Sequence, residues 1–395
     1  MRMPATRLLG PALLALWLLA CTSAPAAPAG GASPAEGAVT GASAGSATSA
    51  PANAGAPAGS AAGPAASAPQ APAAEPAAVP PASAGPATKV RIGTIAAIND
   101  AGLYLAMERG YFQQEGLDVE LVPFRASADM IPLMGNGQLE VGSGAAIPSI
   151  FNAIARGVPL RIVGDKGSYL GSCSPALVVR RALADEVRGI PDLVGRKVAL
   201  INLNVATHLD LIKALEEAHV PLDQVEPVAM PFHDMNAALA NGAVDAAIVS
   251  EPFLTQGVEQ GIATQVKCGE ELNSGREYAM LTYAPHFVEQ DRAAGERLMT
   301  AYVRGVRDYA DAMKKGIGRD AVIDVLVHYA PADPELYRRM RPVDLDPDGR
   351  PNRASIAFDQ AMLLRLGAIT QPVDLDAVVD MGFADAALAR LGPYR

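Results

Sequence analysis

The chain has 395 residues, 50% of them hydrophobic, with 32 Lys and Arg against 42 Asp and Glu, a formal net charge of −10. An acidic balance of this size repels phosphate backbones and excludes a general nucleic-acid role. Beyond the amino terminus no run of about 20 apolar residues exists, which excludes a polytopic membrane protein, and none of the cysteines forms a Cys-x-x-Cys pair, which excludes a zinc ribbon or thioredoxin-type centre.

Residues 1–21 read as a secretory leader. Arg2 and Arg7 give it a positive start, and Leu8 to Leu19 form an apolar core too short to span a bilayer comfortably. It ends in Leu18-Leu19-Ala20-Cys21, which resembles the lipobox of bacterial lipoproteins. That resemblance implies acylation of Cys21 and a membrane anchor, each buried methylene adding about 0.8 kcal/mol; an ordinary leader with an incidental Cys is the alternative. Residues 22–88 consist almost entirely of Ala, Pro, Gly and Ser, with Glu36 and Glu75 as their only charges. Such a composition buries no core, so it is expected to be a disordered tether with a reach on the order of 50 Å.

From Lys89 onward β-branched runs alternate with helical patterns, which predicts an α/β fold with a parallel sheet. The first unit is expected over 89–180. It takes strands at Lys89 to Ile95, Asp118 to Val122, Leu139 to Gly142, Leu160 to Gly164 and Pro175 to Arg180, and helices at Ala101 to Glu115, Ser127 to Met134 and Ala146 to Arg156. The second unit, over 195–275, repeats the rhythm. Its strands are Val198 to Ile201, Val225 to Met230 and Ala246 to Val249, and its helices Asn204 to Ala218, Asp234 to Ala240 and Pro252 to Gln260. Over 276–395 a strand at Tyr278 to Tyr283 returns to the first unit, and mostly helical chain follows Pro285. Two lobes joined by crossing segments predict a hinge with a ligand cleft between them.

Ligands of open α/β sheets bind beyond the carboxyl ends of strands, where helix starts present unpaired N–H groups. Three corners qualify: Asn99-Asp100-Ala101-Gly102, Ser143-Gly144-Ala145-Ala146, and Asn202 to Thr207 with Asn204 and Thr207 as its polar donors. Small residues admit a ligand to the backbone, and Asn, Ser and Thr add directed hydrogen bonds; the same residues also serve as plain helix caps. Tyr169 can stack on a planar ligand. Phe232, His233 and Glu251 follow second-unit strands, and each can contact ligand or merely cap a helix. His208, on a helix face, reads as structural. Cys173 and Cys268 are either a disulfide of an extracytoplasmic protein or two small buried side chains.

The run from Ala101 to Glu120, AGLYLAMERGYFQQEGLDVE, resembles the opening of periplasmic-type substrate-binding proteins of ABC importers, in the nitrate, sulfonate, taurine and thiamine-precursor superfamily. Gly137-Gln138-Leu139-Glu140-Val141-Gly142, Asn241 to Ala247 and Glu251-Pro252-Phe253 follow in that superfamily's order, with Glu140 where Asp is usual. The resemblance implies a two-lobed periplasmic-binding-protein fold, type II-like. It implies an extracytoplasmic monomer that hands a small molecule to a permease and ATPase, with no cofactor or metal. Asn99 to Gly102 and the stretch from Phe151 to Ser168 are most similar to the riboflavin and vitamin-precursor branch.

Charge bears on the cargo. Asp100, Asp165 and Glu251 fall at candidate corners with Lys166 as the sole nearby cation, whereas an anion pocket should avoid carboxylates. The reading is therefore a planar hydrogen-bonding ligand, riboflavin or a pyrimidine vitamin precursor, with a sulfonate or similar organic anion as the alternative. Enzymes on this fold, a desulfinase and a pyrimidine synthase, use Cys or Cys-rich signatures absent here. The folded part also holds neither a Gly-x-Ser-x-Gly elbow nor a His-Glu-x-x-His pair. Trp17 is the only Trp. Because it lies in the leader, the processed chain is expected to show tyrosine emission alone, which a fluorescence spectrum checks.

Overall fold

The computed structural model describes residues 86–145 and 147–395. The leader, Cys21, nearly all of the tether and Ala146 lie outside the described residues. The first stretch lays down β1 (Thr88–Thr94), α1 (Ala101–Glu108), α2 (Tyr111–Gln114), β2 (Leu117–Pro123), α3 (Met130–Gly135), β3 (Val141–Ala145), α4 (Pro148–Ala155) and β4 (Arg161–Ser168). The single helix expected over Ala101 to Glu115 is two. Gly110 adopts φ 67°, a left-handed conformation that ends a helix, so the chain restarts at Tyr111.

The second stretch runs β5 (Ala176–Arg180), β6 (Lys197–Leu200), α5 (Ala206–Glu217), β7 (Glu226–Ala229), α6 (Phe232–Asn241), β8 (Ala246–Val249), α7 (Phe253–Glu259), β9 (Ala263–Cys268) and α8 (Gly269–Leu272). The chain then returns through β10 (Glu277–Tyr283) to helices α9 (Pro285–Gln290), α10 (Arg292–Lys315), α11 (Arg319–Tyr329), α12 (Pro334–Arg339), α13 (Arg353–Arg365), α14 (Leu375–Val378) and α15 (Gly382–Leu391).

Two five-stranded sheets result, ordered β2-β1-β3-β10-β4 and β7-β6-β8-β5-β9. Both are mixed, which corrects the expectation of a parallel sheet. β1 and β6 pair in parallel with their neighbours, but β10 runs antiparallel to β3 and β4, and β5 antiparallel to β8 and β9. Each antiparallel strand is the one the chain inserts as it crosses between lobes. The boundary at residue 180 is corrected for the same reason, since β5 belongs to the second sheet. The sequence reading also passed over β9, an edge strand whose Gln265 and Lys267 interrupt its apolar pattern.

The first core gathers around α10, whose Leu298, Tyr302, Val306 and Tyr309 pack against Leu103, Leu105 and Ala106 of α1. The helices cross closely: a Cβ on Gly305 would lie 2.1 Å from the Gly102 carbonyl oxygen. The second core fills the other sheet with Leu177, Val198, Leu211, Leu215 and Ile248. A third cluster joins the lobes, packing Leu209 and Ile212 of α5 against Phe151, Ile162 and Met280 of the first lobe and Ile356 and Leu363 of α13. Cys173 and Cys268 form a disulfide with a Cα separation of 4.4 Å, tying the segment before β5 to the end of β9.

Because neither backbone at the α1–α10 crossing can yield without opening the core, Gly305→Ala is expected to lower stability by about 1–3 kcal/mol. Chemical denaturation of the two proteins measures it; equal midpoints would show that the helices do not touch here.

Candidate functional site

A cavity of about 420 Å³ lies between the lobes. The first lobe contributes Ile95 to Asn99, directly after β1, together with Ala145 at the end of β3, Tyr169 just past β4, and Tyr278 and Ala279 on β10. The second lobe contributes Ile201 after β6, Val205 to Thr207 at the start of α5, Phe232 opening α6, and Ser250 to Phe253 between β8 and α7. The returning chain closes one wall with Ala330 to Ala332, Tyr337 and Val343. The cavity thus sits beyond the carboxyl ends of β1, β6 and β8, where open α/β sheets offer their ligand sites.

The residues predicted from sequence divide sharply. Asn99, Ala145, Tyr169, Thr207, Phe232 and Glu251 come together on the cavity wall. Asp100 does not line it: fully buried, it lies 3.0 Å from Lys166 Nζ and accepts the Ser143 hydroxyl at 2.5 Å. Lys166 and Ser143 are therefore also internal. Ala101 is buried in the first core, and Gly102 faces α10, where a Cβ would meet Val306 at 2.5 Å. Gly144 packs on Ser127, whose hydroxyl accepts the Ala145 N–H at 3.0 Å. Asn202 is exposed and caps its own loop by accepting the Leu203 N–H. Asn204 takes φ 58° and donates its N–H to His208 Nδ1 at 3.0 Å. That bond requires an unprotonated Nδ1, and burial lowers the His208 pKa in the same sense. His233 points outward, 3.6 Å from Asp234.

Sequence reasoning missed the apolar wall. Ile95 to Ile98 precede the polar corner that drew attention, and Ala330 to Ala332, Tyr337 and Val343 come from a helical region far along the chain. Aromatic side chains at neighbouring strands of the first sheet are the readable signal: Tyr169, just past β4, and Tyr278, on β10, lie 5.5 Å apart between ring centroids. Tyr169 is anchored by its hydroxyl, which donates to Asp210 at 2.7 Å.

Among the described residues no Lys or Arg lines the cavity, and Glu251 is the one carboxylate that does. Only 4% exposed, it accepts the Thr255 hydroxyl at 2.9 Å, the Thr255 N–H at 3.1 Å and the Arg341 N–H at 3.3 Å. Burial pushes its pKa up, and these hydrogen bonds hold it back. Asp165 lies below the wall. Its carboxylate accepts the Asp346 N–H at 2.8 Å and the Ser168 hydroxyl. Burial pushes it up to about 7 against those two bonds, with the Asp346 charge adding to the rise.

The sign of the resulting pH dependence follows from linkage. A carboxyl that holds its proton more tightly when folded loses stability as pH rises from the ordinary carboxylate range through about 7. The melting temperature is expected to fall from pH 5 to pH 8, and Asp165→Asn to flatten part of that slope. A variant with an unchanged slope in a thermal melt series would show that Asp165 is already ionised across this range.

The family described as "NMT1/THI5 like" matches residues 97–314, more than half of the chain. Among curated proteins, an aliphatic sulfonates-binding protein of Escherichia coli (strain K12) is 30% identical over 155 residues, 39% of this chain and 47% of that protein. A 4-amino-5-hydroxymethyl-2-methylpyrimidine phosphate synthase of Aspergillus parasiticus is 38% identical over 65 residues, 16% of this chain and 19% of the synthase. The chain thus spans less than half the length of either curated relative. Among solved structures, the periplasmic aliphatic sulphonate binding protein SsuA of Escherichia coli superposes with a TM-score of 0.62 at 22% identity, covering 74% of this chain and 92% of SsuA. The fold is the same two-sheet α/β architecture.

Proposed function

The chain belongs to the NMT1/THI5-like family, and from that premise we propose that it is the extracytoplasmic solute-binding protein of an ABC importer. It takes up a small, planar, hydrogen-bonding ligand between its lobes and passes it to a permease driven by an ATPase. The observation that carries this reading is the interlobe cavity itself, about 420 Å³ in volume, walled by Tyr169, Phe232, Phe253, Tyr278 and Tyr337, with no Lys or Arg lining it among the described residues. Such a wall suits flat rings with a few hydrogen-bonding groups. Riboflavin or a pyrimidine vitamin precursor fits that chemistry.

The sequence set three carboxylates against one lysine at the cleft, whereas Asp100 and Lys166 neutralise each other inside the first lobe and Asp165 is buried. What speaks against a small anion is the lack of a cation on the wall, rather than a surplus of acids. A sulfonate remains the second reading, favoured by the identity to the sulfonates-binding relative. We also propose that the processed chain is a monomer held at the membrane through acylated Cys21. Catalysis forms no part of the reading: among the described residues the cavity wall presents Glu251 accepting three protein hydrogen bonds, and neither Cys nor His.

Calorimetric titration with riboflavin, a 4-aminopyrimidine and taurine tests the cargo. Tight binding of a ring compound with no response to taurine is expected. Binding of taurine alone would transfer the reading to anions, and turnover of any of these compounds by the isolated chain would end the proposal of a binder.

A further inference from the structure

Lys166 is a fully buried cation immediately behind the cavity wall. Its Nζ lies 3.0 Å from Asp100 Oδ1 and 3.2 Å from Asn99 Oδ1. Asp100 is fixed in turn by the hydroxyls of Ser143 at 2.5 Å and Tyr104 at 3.3 Å and by the Ala97 N–H at 3.4 Å. Three segments of the first lobe therefore converge on one rigid ion pair. Asn99, 8% exposed, is the member of this group that lines the cavity.

An ammonium group has donors and no acceptor. The end of the Asn99 amide that faces Lys166 must therefore be its oxygen, because the flipped amide would set NH₂ against NH₃⁺. This removes the usual ambiguity between amide oxygen and nitrogen. Nδ2 then takes the other direction. It has no hydrogen-bond partner among the described residues and, unlike Thr207 Oγ1, is not one of the enclosed atoms without a partner. With the ammonium drawing on Oδ1, the amide is polarised and its NH₂ becomes a stronger donor.

We infer that Lys166 is a positioning residue that locks the Asn99 amide with its NH₂ toward the cavity, making Asn99 a specificity-determining donor for an acceptor atom of the ligand. The inference rests on the interlobe cavity being the ligand site. The acceptor chemistry is shared by a ring carbonyl or ring nitrogen and by a sulfonate oxygen, and Asp100 cancels the lysine charge, so that no net charge is presented with the donor. Asp100 and Lys166, expected from the sequence to contact ligand directly, lie one layer behind the wall.

Two variants test this. Asn99→Asp keeps a partner for Lys166 but offers the cavity only an acceptor. The double variant D100N/K166M removes both charges together, so that no lone charge stays buried. In ¹⁵N-labelled full-length protein without ligand, the Asn99 NH₂ signal, identified by its loss in Asn99→Asp, is expected to exchange rapidly with water. A protected NH₂ would overturn the inference whatever the cargo is. Riboflavin and propanesulfonate are then titrated separately. Whichever binds the wild type is expected to weaken about tenfold or more in Asn99→Asp, the loss of one buried hydrogen bond to an acceptor. It should also weaken in D100N/K166M, whose Asn99 amide is free to flip. Unchanged affinity in Asn99→Asp would overturn the inference, and weakening in Asn99→Asp alone would deny Lys166 its positioning role. If neither compound binds the wild type, the cargo reading falls, and the exchange measurement alone decides how Asn99 is held.

Discussion

A buried cation holds the joint between the two lobes together with the apolar cluster that crosses it. Arg276 sits where the chain leaves the second lobe for β10, with no exposed surface, 2.9 Å from Asp210 on α5 and paired on its other side with Asp359 on α13. Burial pushes both carboxyls up, and the guanidinium pulls them back down. Removing one partner from such a group leaves an uncompensated charge in the interior, which costs roughly 3–5 kcal/mol. Asp210 also accepts from Tyr169 and Asn273, so the same carboxylate fixes an aromatic wall of the cavity and the crossing segment. The shape of the site is therefore coupled to the joint between lobes.

The protein spends its charges on its own interior around the site. Lys166 is matched by Asp100, Arg276 by Asp210 and Asp359, and Glu251 by neighbouring donors. What lines the cavity is, apart from Glu251, a set of rings, short apolar side chains and a few neutral polar groups. Recognition by such a surface comes from fit and from single directed hydrogen bonds, which discriminate strongly when the wrong ligand leaves a buried donor without a partner.

Most of the fold was readable because its signals are local. Runs such as Val198 to Leu200 and Ala246 to Val249 are continuous apolar strands, and the motifs at Gly137 to Gly142 and Asn241 to Ala247 mark corresponding places in both lobes. Strand direction was not readable, since the pairing of β5 with β8 and of β10 with β3 is set by how the chain crosses between lobes. The site was half legible for a related reason. A polar residue at a strand end is visible in the sequence, but whether it faces ligand or an ion partner depends on residues far away. Asp100 meets Lys166 across 66 positions, and Tyr337 reaches the cavity from a helix with no polar motif to announce it.

The disulfide has a consequence of another kind. Cys173 and Cys268 stand 95 positions apart and enclose β5 to β9, so that the strands of the second sheet form a covalently closed ring. A single proteolytic cut anywhere inside that ring leaves both fragments attached to one another. Nicking of a surface loop in this lobe would not by itself release either piece.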